Sequence, residues 1–301
     1  MNALIRIDDD VRRAVGRRQA VVALESSVLA QGLPIPHNRS AAERMCAAVE
    51  RADALPAITA VVAGKPAVGL TADELERFLR RDGVAKVSAR DIPWAMTNGV
   101  DGATTVAASL MLAAGAGVDV FATGGIGGVH HEPAFDESAD LAELARTPIV
   151  VVCSGAKSVL DLSATWERLE SLGVPVVGYQ TDELPSFYTA DSGIALTARA
   201  DDVAKIVELF HAQRALGRPQ ALLVVQPPPP EHALDRKTVE DAVARARADA
   251  MQRGVRGAAV TPFLLAAIGE STGGASLQTN LALLERNAGL AGEIARAASA
   301  H

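Results

Sequence analysis

The run IVVVC at 149–153 is the strongest strand signal in the chain, and it leads directly into Ser154-Gly155-Ala156-Lys157. Short, continuous, valine-rich runs are typical of strands that are buried on both faces of a parallel sheet. Comparable runs lie on both sides of it in the sequence, at 19–24, 58–63, 85–88, 118–122, 174–178 and 221–225. The chain therefore contains several candidate strands of one central sheet.

Helical patterns separate these strands. Apolar or alanine-rich positions at helical spacing occupy 38–52, 103–114, 201–216 and 238–251. The Thr71-to-Glu74 segment has the sequence of a capping box, and Thr261-Pro262-Phe263 predicts a helix start with proline in the first position. Alternating strands and helices predict an α/β protein, a three-layer α/β/α sandwich with a mostly parallel central sheet and additional C-terminal helices. Since neither repeats nor a long linker occur, we expect residues 1–301 to form a single domain.

Composition excludes several classes of protein. With 301 residues, 49% hydrophobic and 22% charged, the chain is typical of a folded protein with a sizeable core. A net charge of −7 argues against a nucleic-acid polymer as partner. Cys46 and Cys153 have no disulfide or zinc spacing, and we find neither an export signal nor an apolar run of the roughly 18 residues that span a membrane. These features predict a cytoplasmic protein without a membrane partner.

Lys157 and Glu25 are candidate catalytic residues because each follows a predicted buried strand. We expect Lys157 to lie near a helix N-terminus, where burial and the helix dipole disfavour the ammonium form and favour a nucleophilic amine. Glu25 could donate a proton if burial favours its protonated form. The alternatives are a surface lysine at a helix start and, for Glu25, a capping or salt-bridged carboxylate.

The glycine-rich segment TGGIGG at 123–128 follows a predicted strand. It matches neither the dinucleotide fingerprint, because His130 stands where a glycine is needed, nor a phosphate loop. Two interpretations remain open, a tight turn that needs positive φ and a ligand-binding turn.

Further along, Lys86 lies in a short apolar strand, which favours an edge strand, and Ser88 would share its face and could help to hold a phosphate. The segment 130–140 holds two histidines and several acids, which suits either a hard divalent cation such as Mn²⁺ or Mg²⁺ or a solvated loop that caps the next helix.

Seven strings of the sequence, read together and in order, resemble the pseudouridine-5'-phosphate glycosidases, a family that includes the indigoidine synthase A-like proteins. The strings are ALESSVLAQGLPIPHN at 23–38, KVSARD at 86–91, TTVAASLMLA at 104–113, TGGIGGVH at 123–130, FDESADL at 135–141, VVCSGAKSVLD at 151–161, and TPFLL with SLQTNLALL at 261–265 and 276–284. The resemblance covers nearly the whole chain.

This resemblance implies a manganese-dependent homotrimer that reversibly cleaves the C-glycosidic bond of pseudouridine 5'-phosphate, giving uracil and ribose 5-phosphate. It implies Lys157 as a nucleophile that forms an imine (Schiff base) with the ring-opened sugar, Glu25 as proton donor, and Asp136 as the residue that binds Mn²⁺. Implied substrate contacts are Lys86, Val106, Ser138, Ala139 and Asp140, with Thr123, Gly125, His130 and Asn280 as additional pocket residues; Ser88 remains a candidate from its position beside Lys86. One departure from the family pattern is the short HEPA segment at 131–134, which bears on substrate gating.

Three other functions are compatible with parts of the pattern. A pigment-pathway relative of the indigoidine type would use the same sugar-phosphate pocket. Without the resemblance, the residues alone would also fit an aldolase-type Schiff-base enzyme acting on a sugar phosphate. A sugar-phosphate-binding regulator has the least support, because the chain offers no basic recognition helix.

Overall fold

The computed structural model describes residues 2–132, 135–255 and 260–299. Its strands are β1 (Arg6–Ile7), β2 (Val21–Leu24), β3 (Leu55–Val62), β4 (Lys65–Val68), β5 (Ala85–Val87), β6 (Gly102–Thr104), β7 (Val120–Ala122), β8 (Val150–Cys153), β9 (Val176–Tyr179), β10 (Arg199–Ala200) and β11 (Leu222–Val225). Within these residues they form one sheet in the order β1-β4-β3-β2-β7-β8-β11-β9-β10, and β6 pairs with β3 and with β5 beside this path.

The centre of the sheet is parallel, as the valine-rich runs predict. β2 pairs in parallel with β3 and β7, and β8 pairs in parallel with β7 and β11. One edge is mixed, because β3 is antiparallel to both β4 and β6. All residues of β2, β7, β8 and β11 are buried. The carboxyl ends of β2, β7 and β8 therefore lie side by side at one edge of the core.

The helices are α1 (Asp9–Gly16), α2 (His37–Arg51), α3 (Ala72–Arg80), α4 (Ile92–Asn98), α5 (Val106–Ala116), α6 (Ala139–Leu144), α7 (Leu162–Ser171), α8 (Val203–Ala215), α9 (Arg236–Gln252), α10 (Val260–Ser271) and α11 (Ala275–Ser299). α11 packs against β2, β7 and β8 and against α2 and α8, while α5 packs against β2, β3 and β7 and against α6. The three-layer α/β/α prediction is confirmed, and α9 to α11 are its additional C-terminal helices.

Local capping explains where several helices begin. The capping box at Thr71 is confirmed, because its hydroxyl accepts from the Glu74 amide at 3.2 Å and the Glu74 carboxylate accepts from the Thr71 amide at 3.0 Å. The alanine-rich helix begins at Val106, later than the predicted 103, because residues 102–104 pair with β3 and β5 as a strand. Thr105 then caps α5.

Two predicted helix starts are wrong. Lys157 does not lie at a helix N-terminus, because α7 begins only at Leu162, where Asp161 accepts a hydrogen bond from the Ala164 amide at 2.9 Å. α10 begins at Val260, so that Thr261 is inside the helix and is not its cap. Within the described residues, no helix combines the length and apolarity that crossing a membrane requires.

Candidate active site

Three loops follow the neighbouring strands β2, β7 and β8 and meet at the carboxyl edge of the sheet. They carry Glu25, the glycine-rich segment 123–128 and Lys157. Together with the π-helical turn Val28–Gly32, α10 and α11 they enclose a cleft. Its lining consists of Glu25, Ser27, Val28, Gln31, Gly32, Lys86, Thr123, Gly124, Gly125, Lys157, Phe187, Thr261, Leu265 and Asn280.

Glu25 is buried at the end of β2 with 5% of its surface exposed. One carboxylate oxygen, Oε1, accepts a hydrogen bond from the Thr123 hydroxyl, and the other, Oε2, accepts one from the Ser27 hydroxyl at 2.5 Å. Neither capping nor a salt bridge occupies this side chain within the described residues. Two hydroxyls thus fix the carboxyl group in the wall of the cleft.

Lys157 is held by a loop that runs beside the glycine-rich segment. The Lys157 amide donates to the Ile126 carbonyl at 3.1 Å, and the Ile126 amide donates to the Gly155 carbonyl at 3.1 Å. These two hydrogen bonds extend the parallel pairing of β7 and β8 beyond the strands. The backbone of Lys157 is therefore fixed although no helix begins there.

The nearby thiol of Cys153 is no rival nucleophile. Burial raises the pKa of Cys153 to about 12, so that the thiol stays protonated at neutral pH. Lys157 carries the amine that this part of the cleft presents.

Lys86 lies on β5, which pairs only with β6 among the described strands, so the predicted edge position is confirmed. Its exposed side chain reaches the mouth of the cleft. Loss of water around the ammonium is the main cause that lowers the pKa of Lys86, and the positive charge of Lys157 lowers it further. The negative charges of Glu25 and Asp140 oppose the shift. Two amines and two carboxylates therefore lie within electrostatic reach of one another, which suits an anionic ligand.

The glycine-rich segment needs glycine for close packing and not for positive φ, because all its glycines have ordinary negative-region or extended backbone. A Cβ on Gly125 would lie 2.6 Å from Phe187 Cδ2, and one on Gly127 would lie 2.2 Å from Ser138 Oγ. The interpretation as a tight turn that needs glycine for positive φ is therefore wrong. What the glycines allow is the close approach of neighbouring side chains to the wall of the cleft.

Asp140 ties the glycine-rich segment to α5. Its Oδ1 accepts from the Ala107 amide at 2.9 Å, and its Oδ2 accepts from the Gly127 amide at 2.8 Å. Ser138 caps α6, as one interpretation of this segment predicted, and its hydroxyl accepts from the Asp140 amide at 3.2 Å. Asp140 lies outside the cleft lining but affects the charge of Lys86.

Asp136 offers a free carboxylate for a cation. Its backbone carbonyl accepts from the His130 amide at 2.9 Å, and its half-buried side chain makes no hydrogen bond or ion pair with the described residues. The part of the chain that the structure describes holds no group of three His, Cys, Asp or Glu residues that could enclose a metal. This donor set fits a hard divalent cation that keeps most of its water ligands, as Mn²⁺ and Mg²⁺ can.

The structure thus brings Glu25, Lys86, Thr123, Gly125, Lys157 and Asn280 to one cleft. The remaining predicted site residues lie outside its lining, namely Ser88, Val106, His130, Asp136, Ser138, Ala139 and Asp140. Ser88 instead donates its backbone N–H to Asp91 Oδ2 at 3.1 Å. In the HEPA segment, Pro133 and Ala134 lie outside the described residues.

Sequence reasoning missed Asn287, which is completely buried behind the cleft. Its Nδ2 donates to the Thr123 carbonyl at 2.9 Å and to Ser154 Oγ at 3.1 Å, and its Oδ1 accepts from Gln226 Nε2 at 3.0 Å. One α11 side chain thus joins the ends of β7, β8 and β11. The available signal was an asparagine within an otherwise apolar, alanine- and leucine-rich helix.

This fold and this cleft define an α/β enzyme that acts on a small molecule at the carboxyl edge of its sheet. A family model described as indigoidine synthase A like protein matches residues 10–297. The chain belongs to the indigoidine synthase A-like family.

The similar proteins include pseudouridine-5'-phosphate glycosidases and a C-glycosynthase. A pseudouridine-5'-phosphate glycosidase from Gemmatimonas aurantiaca is 59% identical over 290 residues, covering 96% of this chain and 95% of its own length. Another from Chloroflexus aurantiacus is 51% identical over 298 residues, covering 97% and 98%. Among solved structures, the prealnumycin C-glycosynthase AlnA in complex with ribulose 5-phosphate superposes with a TM-score of 0.92 at 38% identity, covering 100% of this chain and 98% of AlnA.

Proposed function

We propose that this protein cleaves the C-glycosidic bond of pseudouridine 5'-phosphate reversibly, giving uracil and ribose 5-phosphate. The observation that carries the proposal is the joint placement of the Lys157 amine and the Glu25 carboxyl group in one cleft, with Lys86 at its mouth. Relatives of 51–59% identity over nearly the full length bear the name of this activity. These two observations agree on a reaction at the carbon–carbon bond of a phosphorylated nucleoside.

A carbon–carbon glycosidic bond has no heteroatom leaving group, so its cleavage needs an electron source at the sugar carbon. In the proposed reaction, the Lys157 nitrogen bonds to C1′ as the C1′–O4′ bond breaks, and O4′ takes the proton that the nitrogen loses. The nitrogen lone pair then forms a C=N bond while the C1′–C5 bond breaks, and the departing uracil C5 takes a proton from Glu25. Water hydrolyses the resulting protonated imine, which releases ribose 5-phosphate, and the excess proton on the Lys157 nitrogen returns to Glu25 to restore both groups.

Each remaining group has a binding or positioning role. Lys86 binds the phosphate at the mouth of the cleft, because its ammonium is the exposed cation there. Thr123 and Ser27 hold the carboxyl group of Glu25 toward the substrate. Asp136 would hold a hydrated Mn²⁺, which supplies positive charge near an anionic substrate when it is bound.

The decisive experiment incubates the purified protein with pseudouridine 5'-phosphate, with and without Mn²⁺, and separates free uracil by chromatography. We expect uracil release that depends on Mn²⁺ and is lost in Lys157→Ala. Borohydride reduction in the presence of ribose 5-phosphate should add the mass of the reduced sugar to the wild-type chain and not to that variant. Wild-type cleavage by a folded Lys157→Ala protein would contradict the mechanism.

A second candidate function is C-glycoside synthesis in a pigment or antibiotic pathway. The specific observation in its favour is the close structural similarity to AlnA, a C-glycosynthase in complex with ribulose 5-phosphate. The two functions differ in their ring substrate. Absence of uracil release from an active, folded sample, together with coupling of ribose 5-phosphate to a larger aromatic acceptor, would favour synthesis.

Three further properties belong to the proposal. Residues 1–301 act as one domain, which one large cluster of buried apolar residues from Ile5 to Ala295 supports. A homotrimer and a cytoplasmic location are implied by the sequence resemblance. Light scattering on the purified protein tests the trimer, and fractionation of cells that express it tests the location.

A further inference from the structure

A second chamber opens beside the catalytic cleft and shares a wall with it. Gln31, Gly32, Leu265 and Asn280 line both spaces. The chamber is larger than the cleft and has a mostly apolar lining, in which Arg81 and Glu270 are the charged residues.

Arg81 has an unusual position and environment. It ends α3 in the left-handed conformation, with φ of 69°, where glycine is the favoured residue. Its Nε and Nη2 are buried without a hydrogen-bond partner, and it forms no ion pair with the described residues. The other two arginines near this end of α3 are paired, Arg77 with Asp101 and Arg80 with Glu76.

A guanidinium stays charged in a protein, so buried and unpaired N–H donors are costly. Burial alone lowers the pKa of Arg81, and no neighbouring carboxylate opposes that shift. Glu270, the carboxylate in the chamber lining, is exposed and does not reach the guanidinium. A bound anionic ligand could accept hydrogen bonds from the unpartnered N–H groups of Arg81.

The shared wall offers the complementary groups. Asn280 is 6% exposed, and its Oδ1 is buried without a donor; Gln31 Oε1 is also buried without one. Either oxygen can accept an N–H group of a ligand, such as the N3–H of a pyrimidinedione ring. Leu265 and Leu277 line the same chamber as Arg81 and can pack against the body of a ring held there.

We propose that the second chamber binds a carboxylate carried by a ring ligand that extends from the catalytic cleft, and that Arg81 is its ion-pair partner. The ligand class is a planar heterocycle with an N–H donor and an acidic substituent. The inference rests on the proposed function for its choice of a uracil ring as the probe.

Calorimetric titration with uracil-1-acetate and with its uncharged amide tests the charge preference, because the two probes share one shape. We expect wild type to bind the acetate about 10- to 100-fold more tightly than the amide, as for a hydrogen bond to a charged group. Arg81→Gln should remove this preference. Arg80→Gln, one residue away on the exposed face, is the matched control and should retain it.

A second variant guards against misfolding. Arg81→Gly suits the left-handed backbone and should fold, yet it should lose the acetate preference as Arg81→Gln does. Equal affinity of wild type for both probes, binding of neither probe, or a preference that survives in both variants would overturn the proposal. Weaker binding of ribose 5-phosphate to Arg81→Gln, with no change in the acetate preference, would also overturn it by assigning the chamber to phosphate.

The outcome is separable from that of the proposed function. Acetate preference without uracil release from pseudouridine 5'-phosphate would support the chamber and contradict the glycosidase. Uracil release without acetate preference would support the glycosidase and contradict the chamber.

Discussion

The carboxylate of Glu25 accepts a hydrogen bond from the hydroxyl of Thr123, although the two residues are 98 positions apart in the sequence. Each is the first residue after a buried strand, β2 and β7, and these strands are neighbours in the sheet. The parallel pairing therefore fixes the distance between the two side chains. It also explains why one end of the sheet can hold a carboxyl group rigidly in a ligand-binding cleft.

The hydroxyl of Thr123 should position Glu25, and its removal should slow catalysis. We expect Thr123→Val, which keeps the shape and removes the donor, to lower kcat by about 2- to 10-fold with a small change in KM, because Glu25 loses one of the two hydroxyls that hold its carboxyl group. Thr123→Ser should restore most of the rate. Steady-state uracil release measures both, and equal losses in Val and Ser variants would point to a packing role.

Substrate binding should depend on pH through Lys86. Because its pKa lies below that of an ordinary lysine, Lys86 loses its charge earlier as the pH rises, and KM for pseudouridine 5'-phosphate should rise in that alkaline range. Complete loss of the charge should raise KM by about 10- to 100-fold. Lys86→Arg stays charged and should have a flat profile. Lys65→Arg, at an exposed lysine outside the cleft lining, should keep the wild-type profile.

Asp136 should be the protein ligand of the divalent cation. Asp136→Asn should weaken Mn²⁺ binding by about tenfold or more, since even residues that only support a metal ligand contribute about this much. Calorimetry or electron paramagnetic resonance of Mn²⁺ measures the affinity directly. Glu137→Gln is the matched control, because Glu137 is already paired with Arg168. Unchanged affinity in Asp136→Asn would place the cation elsewhere.

Close packing of the glycine-rich segment should make Gly125 intolerant of a side chain. In Gly125→Ala, the new Cβ would meet Phe187 Cδ2 at 2.6 Å and the Gly155 carbonyl oxygen at 3.0 Å. We expect a loss of about 1–3 kcal/mol in the free energy of unfolding, as for other overpacked sites. Thermal or urea unfolding measures it. Gly16→Ala, where nothing lies within 4 Å of the new Cβ, should show no such loss.

The sequence was a sound guide to the centre of the sheet. Valine-rich runs predicted β2, β3, β7, β8, β9 and β11 because a strand buried on both faces is apolar at every position. By contrast, β1, β4 and β10 are short edge elements without such a run, and the antiparallel turn between β3 and β4 depends on pairing that periodicity does not reveal. The observed start of a helix differs from the predicted start where a local cap or strand pairing sets it, as Thr105 does for α5.

For the candidate site, the sequence located the strand ends but not the contacts across them. Glu25 and Lys157 could be singled out because polar residues follow apolar runs. The helix dipole expected at Lys157 is absent, since nothing between Cys153 and Asp161 begins a helix. Asn287 and Arg81 act through burial and through partners, or missing partners, far away in the sequence, and only the folded chain shows these.

The role of Asn287 has a consequence for how the enzyme is made. The side chain joins the ends of β7, β8 and β11 from a helix that follows all three strands in the sequence, and its hydrogen bonds to Thr123 and Ser154 span 164 and 133 residues. Contacts of such sequence separation form late, because closing long loops costs chain entropy before any contact compensates for it. A nascent chain that still lacks α11 therefore has Lys157 in an unfinished cleft, and the cleft is complete only after α11 has been added.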